Sequence, residues 1–334
     1  MTLRQVAAHA GVSHQTVSNV LNAPERVDPA TRSRVREAIE ALGYRPNRTA
    51  RSLATRQAGL IGYCLSRHSG HSLYMDAFLH ALTAAVEASG RHLLLFTAPE
   101  GEAGLATYAD LVAQQAVDAF VLSDTVGEDP RHAWLAGRGI RFASFGRTWP
   151  RHGRQAGSWV DVDGHAACAE LVTRLHHAGH DRIGFIGWDS PDAGGAGSDR
   201  RDGWRSRCRD LGLPEPEARA DSDSLEGAAR AAAELLDDRE PPTAIVAATD
   251  LLAVGVLGEV RRRGSRPGHD VWVTGFDDSL LATSVENGLT TVRQPTAEIA
   301  TTLVGLLDAE PGAAEAGVLL PGQIVVRGSA PLGL

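Results

Sequence analysis

The chain has 334 residues, of which 43% are hydrophobic and 22% charged, and its net charge is −8. This size and composition predict a folded globular protein with two or three folding units. No apolar run approaches the roughly 20 residues that a membrane-spanning helix needs, and the first residues lack the features of a signal peptide. The three cysteines match no zinc or disulfide spacing. We therefore expect a cytoplasmic protein with no membrane contact, no metal and no other cofactor.

The charge is divided unevenly along the chain. Residues 1–58 hold nine arginines and four acidic residues, a net charge of +5, which leaves −13 for residues 59–334. A basic segment next to an acidic one favours contact of the basic segment with a polyanion such as DNA.

Residues 1–44 are predicted to form three short helices. The first begins with Thr2 and Gln5 at capping-box spacing. Ser13 can cap a second helix, HQTVSNVLN, and Asp28 followed by proline can cap a third. Two short helices joined by a glycine turn, with a third packed across them, are typical of a helix-turn-helix.

The outer face of the second helix predicts contact with DNA. It carries short donors and acceptors that suit base edges and phosphates, and it carries no acid. The alternative is a three-helix core whose outer face is merely polar. The residues of this region that we expect at the DNA are Thr2, Ser13, His14, Gln15, Thr16, Ser18, Asn19 and Asn22.

The segment RPNRTARSLATR, residues 45–56, combines four arginines with one large apolar residue and no acid. It can form two turns of helix with its apolar residues on one face. An apolar wedge among guanidinium groups is what minor-groove proteins insert between base steps. We predict a hinge helix over about 47–56 that folds on DNA against a second copy of itself, with Arg51, Leu53 and Ala54 at the DNA.

The rest of the chain alternates short β-rich runs with amphipathic segments. The runs include LIGYCL, HLLLFTA, DAFVLSD, RFASFG, SWVDVD, RIGFIGW, TAIVAATD and DVWVTGFD. The helical segments include 74–89, 164–178, 225–237 and 250–263. This alternation predicts parallel sheets with helices on both faces, in two units of roughly 100–130 residues. Ligands of such sheets bind beyond the carboxyl ends of the strands, so residues that follow strands are candidate ligand contacts.

Three stretches of the first 58 residues occur in a distinctive order: TLRQVAAHAGVSHQTVSNVLN, DPATRSRVREAIEALGYRPN and RTARSLAT. Together they resemble the lactose-repressor (LacI/GalR) family of bacterial transcription regulators. The resemblance implies that His14, Gln15 and Asn19 read bases in a palindromic operator and that Leu53 intercalates at its centre. The later stretches HAGHDRIGFI, RRDGW, AATDLLAVG, GFDD, LTTVRQP and IVVRGSA resemble the ligand-binding core of the same family.

The resemblance implies a fold and a division into domains. The expected fold is a small all-α helix-turn-helix headpiece (1–58) plus an α/β periplasmic-binding-protein-like core (59–334) of two doubly wound parallel-sheet subdomains. The expected bounds are about 59–161 and 291–320 for subdomain 1, and about 162–290 and 321–334 for subdomain 2.

The resemblance also implies a small-molecule effector in the cleft between the subdomains, a mono- or oligosaccharide. A polyhydroxylated ligand needs carboxylates that accept from its hydroxyls and a guanidinium that donates to them. Three departures from the family pattern fall at the cleft, namely Thr249 in place of asparagine, a longer loop RHSGHSLYM, and Gly146 before Arg147 in place of aspartate. The identity of the effector therefore cannot be carried over from the family to this chain. The expected effector contacts are Tyr74, Met75, Arg147, Asp163, Arg200, Asp250 and Asp277.

We interpret the chain as a sequence-specific DNA-binding transcriptional regulator, a homodimeric repressor, and not as an enzyme. An activator or dual regulator with a non-sugar effector, and a sugar-binding protein without a regulatory role, are the alternatives. Asp277 and Asp278 are adjacent carboxylates, but neighbours after a strand point in different directions and no catalytic partner is identifiable. His176 and His180 have the spacing of metal ligands, but they close a helix, where histidine suits the helix dipole.

Overall fold

The computed structural model describes residues 1–44, 57–65, 73–148, 155–188, 195–309 and 315–333. The chain forms two compact units, Met1–Gly59 and Leu60–Leu334. None of the helices in these ranges is long and apolar enough to cross a membrane. The predicted hinge helix at about 47–56 lies outside the described residues.

The described part of the first unit contains three α-helices with the starts that the sequence predicts. They are α1 (Leu3–Ala10), α2 (His14–Asn22) and α3 (Pro29–Ala41), with one turn of 3-10 helix at Pro24–Arg26 between the last two. Val6 of α1, Val17 of α2 and Val35 of α3 are fully buried and belong to one small core. Because α2 gives one face to this core, its opposite face stays at the surface.

Side-chain caps fix where these helices begin. The Thr2 N–H donates to Gln5 Oε1 (2.8 Å) and the Gln5 N–H donates to Thr2 Oγ1 (3.4 Å), which completes the predicted capping box. The Thr16 N–H donates to Ser13 Oγ (3.0 Å), and an N–H in the first turn of α3 donates to Asp28 Oδ1 (2.9 Å). Each cap pairs a backbone donor that a helix end otherwise leaves without a partner.

Over its described residues, the second unit contains two six-stranded sheets. The first consists of β1 (Leu60–Cys64), β2 (His92–Phe96), β3 (Ala119–Leu122), β4 (Phe142–Phe145), β5 (Ser158–Val162) and β11 (Gly317–Leu320), in the spatial order β11-β5-β4-β3-β1-β2. The second consists of β6 (Ile183–Trp188), β7 (Glu217–Ala220), β8 (Ala244–Ala247), β9 (Trp272–Asp277), β10 (Thr290–Arg293) and β12 (Gln323–Val325), in the order β12-β10-β9-β8-β6-β7. Every pairing is parallel except the antiparallel one between β10 and β12.

Helices connect the parallel strands, as crossover connections require. We call the first sheet with its helices lobe 1, and the second sheet with its helices lobe 2. The helices of lobe 1 are α4 (Leu73–Ala88), α5 (Leu105–Ala113), α6 (Pro130–Ala136) and α12 (Thr296–Leu307). The helices of lobe 2 are α7 (Gly164–His177), α8 (Ala196–Asp210), α9 (Leu225–Leu236), α10 (Asp250–Arg262) and α11 (Leu280–Ser284).

The chain passes between the lobes three times: after Val162, after Arg293 and after Leu320. The boundary predicted near residue 290 falls inside β10 of lobe 2, so the second crossing lies a few residues later than expected. Strands β7 and β11 were absent from the predicted set. Both lie at sheet edges and are only partly buried, which leaves little apolar pattern to find.

Candidate functional site

The described polar face of α2 forms one candidate site. His14 and Gln15 are exposed, and Thr16, Ser18 and Asn19 are half-buried. Gln15 Nε2 donates to Asn19 Oδ1 (3.1 Å), so the two side chains hold each other one helical turn apart. This pair offers both a donor and an acceptor at the surface, which is the chemistry needed to read a base edge.

The remaining predicted DNA contacts fall into two groups. Thr2 and Ser13 are exposed residues that cap helices, and the hydroxyls of Ser13 and Thr16 lie 2.9 Å apart. Asn22 is the last residue of α2. Arg51, Leu53 and Ala54 lie outside the described residues, so their predicted role stays a prediction.

A cleft of about 350 Å³ in the second unit forms the other candidate site. This volume lies in the range of about 300–1,000 Å³ that small-molecule sites occupy. Its walls contain residues that follow strands of both sheets, including Asp124 after β3, Gly146 after β4, Asp223 after β7 and Asp250 after β8. The cleft therefore lies at the carboxyl ends of the strands, between the lobes, where open α/β sheets bind ligands.

Arg200 of α8 is held rigidly in the cleft wall. Only 7% of the residue is exposed. Its Nη1 donates to the Ala248 carbonyl (2.6 Å), and its guanidinium lies 3.6 Å from the ring centroid of Phe276. Its Nη2 is 3.8 Å from Asp277 Oδ1. A fixed planar donor beside a carboxylate can bind two neighbouring hydroxyls of a ligand.

Asp277 lies at the end of β9 with a backbone φ of +118°. Gln294 Nε2 donates to its Oδ1 (2.7 Å). Burial raises the pKa of Asp277 to about 8, although the charge of Arg200 opposes this. The next residue, Asp278, binds Arg293 and Arg327 instead, at 2.6 Å each. The two adjacent carboxylates thus have different partners, as the sequence predicts.

Asp250 lines the cleft, but its oxygens are already engaged. Oδ1 accepts from Thr291 Oγ1 (2.5 Å), and Oδ2 accepts from the Ser279 N–H (2.7 Å) and Ser279 Oγ (2.9 Å). Burial raises the pKa of Asp250 to about 6. These bonds hold the turn that follows β9, so Asp250 positions Asp277 as well as facing the cleft.

Lobe 1 contributes Tyr74 and Met75 from α4, as expected. The Tyr74 hydroxyl is buried and has no partner at full hydrogen-bond geometry within the described part of the chain, although the Thr296 side chain is close enough to lower its pKa. Its ring packs 6.1 Å from the ring of Phe145. Burial raises the pKa of the Tyr74 phenol above its ordinary value, so it stays protonated and able to donate.

Arg147 and Asp163 lie near the cleft without forming its described wall. Arg147 of lobe 1 donates from Nε to Asp161 Oδ2 (2.8 Å) and from Nη2 to Asp199 Oδ2 of lobe 2 (2.9 Å). Asp163 accepts from the Ala166 N–H (2.8 Å) and caps α7. The structure therefore gives Arg147 a bridge between the lobes and Asp163 a helix cap, rather than direct contact with the cleft.

The cleft also contains residues that were not among the expected effector contacts. They are four aspartates, an amide and two aromatic residues: Asp124, Asp161, Asp199, Asp223, Gln294, Phe145 and Trp188. Several occur at or just after the carboxyl ends of strands, where open α/β sheets bind their ligands. Among the described residues, no group of three or more histidines, cysteines or acids could hold a metal ion.

Two family models match the chain. The model described as bacterial regulatory proteins, lacI family, matches residues 2–47, and the one described as periplasmic binding protein-like domain matches residues 172–330. The HTH-type transcriptional regulator CelR of Thermobifida fusca is 33% identical over 300 residues, which cover 88% of this chain and 87% of that protein. The HTH-type transcriptional regulator AglR of Rhizobium meliloti (strain 1021) is 32% identical over 317 residues, covering 91% and 87%.

Solved structures show the same similarity over the full length. A complex of the transcriptional regulator CelR with cellobiose has a TM-score of 0.71 and 28% identity, covering 98% of this chain and 99% of that one. A lac repressor dimer bound to operator and the anti-inducer ONPF has a TM-score of 0.80 and 25% identity, covering 100% and 99%. Both the small helical unit and the two-lobed unit have counterparts in these proteins.

Proposed function

Because the chain belongs to the lacI family of bacterial regulatory proteins, we propose that it represses transcription as a homodimer on a palindromic operator, under the control of a sugar bound in its cleft. It is a DNA-binding transcriptional regulator, as its relatives are, and not an enzyme. The observation that carries the proposal is the combination, in one chain, of an exposed reading helix and a cleft lined by an arginine and carboxylates. A regulator that acts on chromosomal DNA works in the cytoplasm.

The reading helix supports binding to a palindrome. Helix α2 has nine residues, and its exposed face spans about two turns, so one copy can contact only a few base pairs. A second copy related by two-fold symmetry doubles the contacts and matches a two-fold symmetric operator. Arg51 and Leu53 would add contacts in the minor groove between the two half-sites.

The chemistry of the cleft supports a sugar as effector. Arg200 donates, and Asp277, whose pKa burial raises to about 8, can donate from its carboxyl as well as accept, which suits neighbouring hydroxyls of a sugar ring. Trp188 and Phe145 supply aromatic surface in the same cleft for the apolar face of that ring. The cellobiose complex of CelR supports the same class of ligand for this chain.

The position of the cleft supports a switch. A ligand that contacts Arg200 and Asp277 in lobe 2 and Tyr74 in lobe 1 favours one orientation of the lobes over others. A change of lobe orientation can move two DNA-binding units of a dimer together or apart. Release of DNA makes the sugar an inducer of a repressor, and tighter binding makes it a co-repressor.

Genomic binding sites, followed by gel retardation on the best site with and without sugars, test the proposal. We expect a retarded dimer complex that a sugar weakens or strengthens. Arg200→Ala and Asp277→Ala should each bind operator normally and ignore the sugar. Arg201→Ala is the matched control, because this neighbouring arginine pairs with Asp202 outside the cleft wall.

The outcomes separate the alternatives. Sugar binding without operator binding would indicate a binding protein with no regulatory role. Operator binding that no sugar alters would indicate a non-sugar effector. Loss of both operator binding and folding in the Arg200 and Asp277 variants would show that these residues hold the scaffold.

A further inference from the structure

The wall of the cleft is strongly acidic. Within the described residues it carries one arginine, Arg200, against six aspartates: Asp124, Asp161, Asp199, Asp223, Asp250 and Asp277. In a partly enclosed space, charges interact more strongly than they do in bulk water. Part of this charge is neutralised, because Arg147 pairs with Asp161 and Asp199 and burial raises the pKa of Asp277 to about 8. The remaining carboxylates still disfavour anionic ligands such as sugar phosphates and uronic acids.

Five of the six aspartates are satisfied by neighbouring side chains. Each accepts a hydrogen bond from at least one neighbouring side chain. The donors are Arg147 for Asp161 and Asp199, Thr249 for Asp223, Thr291 and Ser279 for Asp250, and Gln294 for Asp277. These carboxylates already have donors before any ligand arrives.

Asp124 differs from the other five. Its carboxylate makes no hydrogen bond or ion pair with the described residues, and its φ of +49° is uncommon for a residue other than glycine. The guanidinium of Arg131 donates to the backbone carbonyl of Asp124 (3.2 Å), while its charge is paired with Asp129. Asp124 is exposed toward the cleft, and desolvation raises the pKa of its carboxyl while the charge of Arg131 partly offsets this. An accessible carboxylate without a hydrogen-bond donor can bind a cation that enters with the ligand.

A second unpartnered polar group lines the same cleft. The Tyr74 hydroxyl belongs to a residue that is only 7% exposed, and it has no partner at full hydrogen-bond geometry among the described residues, although the Thr296 side chain is close enough to lower its pKa. Buried hydroxyls rarely remain without a partner, so this group also points to a ligand. Lobe 1 thus presents an acceptor with a negative charge and a phenol that can accept or donate.

We propose that the effector is an amino sugar, or an oligosaccharide of amino sugars, and that Asp124 binds its ammonium group. This rests on the proposed function, because it names the chemical class of the effector in the same cleft. An ammonium has three donors and a full charge, so it forms a charge-assisted bond with Asp124 where a hydroxyl forms a weaker neutral-donor bond. Arg200 and Asp277 bind ring hydroxyls from lobe 2, so the ammonium contact with lobe 1 completes a bridge between the lobes.

Disaccharides with one skeleton test the charge directly. Cellobiose, N,N′-diacetylchitobiose and the unacetylated glucosamine disaccharide share the β-1,4 linkage and differ at carbon 2, which bears a hydroxyl, an acetamide or an ammonium. Calorimetric titration of the full chain below neutral pH should show the glucosamine disaccharide binding at least about tenfold more tightly than cellobiose. The change in operator binding should follow the same order.

The Asp124→Asn variant assigns the preference to one residue. It should reduce the ratio between the glucosamine disaccharide and cellobiose to below about threefold, because asparagine keeps the oxygen and loses the charge. Asp110→Asn is the matched control, since Asp110 is exposed on α5 of the same lobe and away from the cleft wall. Operator binding and the melting temperature should be unchanged in both variants.

Each contrary outcome bears on a different claim. Cellobiose binding as tightly as the glucosamine disaccharide would overturn the ammonium proposal and leave the sugar-controlled regulator intact. An undiminished preference in Asp124→Asn would overturn the role of Asp124. If none of the three disaccharides binds while operator binding persists, the amino-sugar proposal is overturned, whereas the sugar effector is overturned only if no sugar alters operator binding.

Discussion

Asp199→Asn tests what the Arg147 bridge does. Arg147 binds Asp161 of its own lobe and Asp199 of the other. The substitution removes one charge and keeps an oxygen that can accept from the His165 N–H, as Asp199 does now at 3.1 Å. The start of α7 is therefore retained, and Arg147 keeps one carboxylate. We expect weaker cohesion between the lobes without unfolding.

The geometry of the pair sets the size of this effect. The side chains of Arg147 and Asp199 are 22% and 13% exposed, so water screens the pair only partly. A hydrogen bond to a charged group contributes about 1.5–3 kcal/mol, and the neutral bond that asparagine retains recovers part of it. With a discount for the remaining screening, the loss is about 1–2 kcal/mol. This corresponds to a shift of about 5–30-fold away from the present lobe orientation.

Small-angle scattering of the effector-free protein and calorimetric titration of the effector measure the shift. Asp199→Asn should have a larger radius of gyration and an effector affinity about 5–30-fold lower. Asp199 also lines the cleft, so a lower effector affinity could come from a lost ligand contact. Scattering of the effector-free protein is independent of any ligand contact and therefore reports on the bridge alone. Asp202→Asn, an exposed position on the same helix, should leave both unchanged. Identical scattering curves for Asp199→Asn and the unaltered protein would refute the bridge.

Other expectations concern DNA, assembly and pH. Gln15→Ala or Asn19→Ala should relax operator preference by about 1–3 kcal/mol at particular bases, measured by competition between single-base operator variants. Leu53→Ala should cost several kcal/mol of specific affinity for the operator, and tight specific binding by this variant would contradict the prediction that Leu53 inserts between base steps. Sedimentation at micromolar concentration should show a dimer and not a tetramer. Burial raises the pKa of Asp277 from 3.8 to about 8, so stability should fall as pH rises between these values, and melting curves of Asp277→Asn should lack that part of the pH dependence.

The helical unit was predictable because its determinants are local. Thr2, Ser13 and Asp28 each bond to a backbone N–H three residues away, so the sequence contains both partners. The valine of each helix that faces the core follows from helical periodicity. These positions therefore follow from nearby residues alone, without contacts to distant parts of the chain.

The cleft was predictable only where a motif marked it. Arg200 and Asp277 lie in stretches that resemble the family, and the structure brings them to 3.8 Å. Asp124 and Asp199 lie in no such stretch, and their shared wall depends on how two sheets face each other. Asp163 was expected there because it follows a strand, but the residue after a strand can equally cap the next helix. The Asp163–Ala166 cap spacing was visible in the sequence.

An expected effector contact, Asp277, is bonded to the second crossing between the lobes. Gln294 follows β10 at that crossing and donates to Asp277, while Asp250 holds the turn after Asp277 through Ser279. A ligand that hydrogen-bonds Asp277 therefore competes with, or polarises, a bond made by the crossing segment itself. The Arg147 bridge limits how far the lobes can separate when that bond changes. On the proposed function, a ligand in the cleft is coupled to lobe orientation through these two contacts, because Asp277 and Asp199 line the cleft while their partners lie at the crossing and on the other lobe.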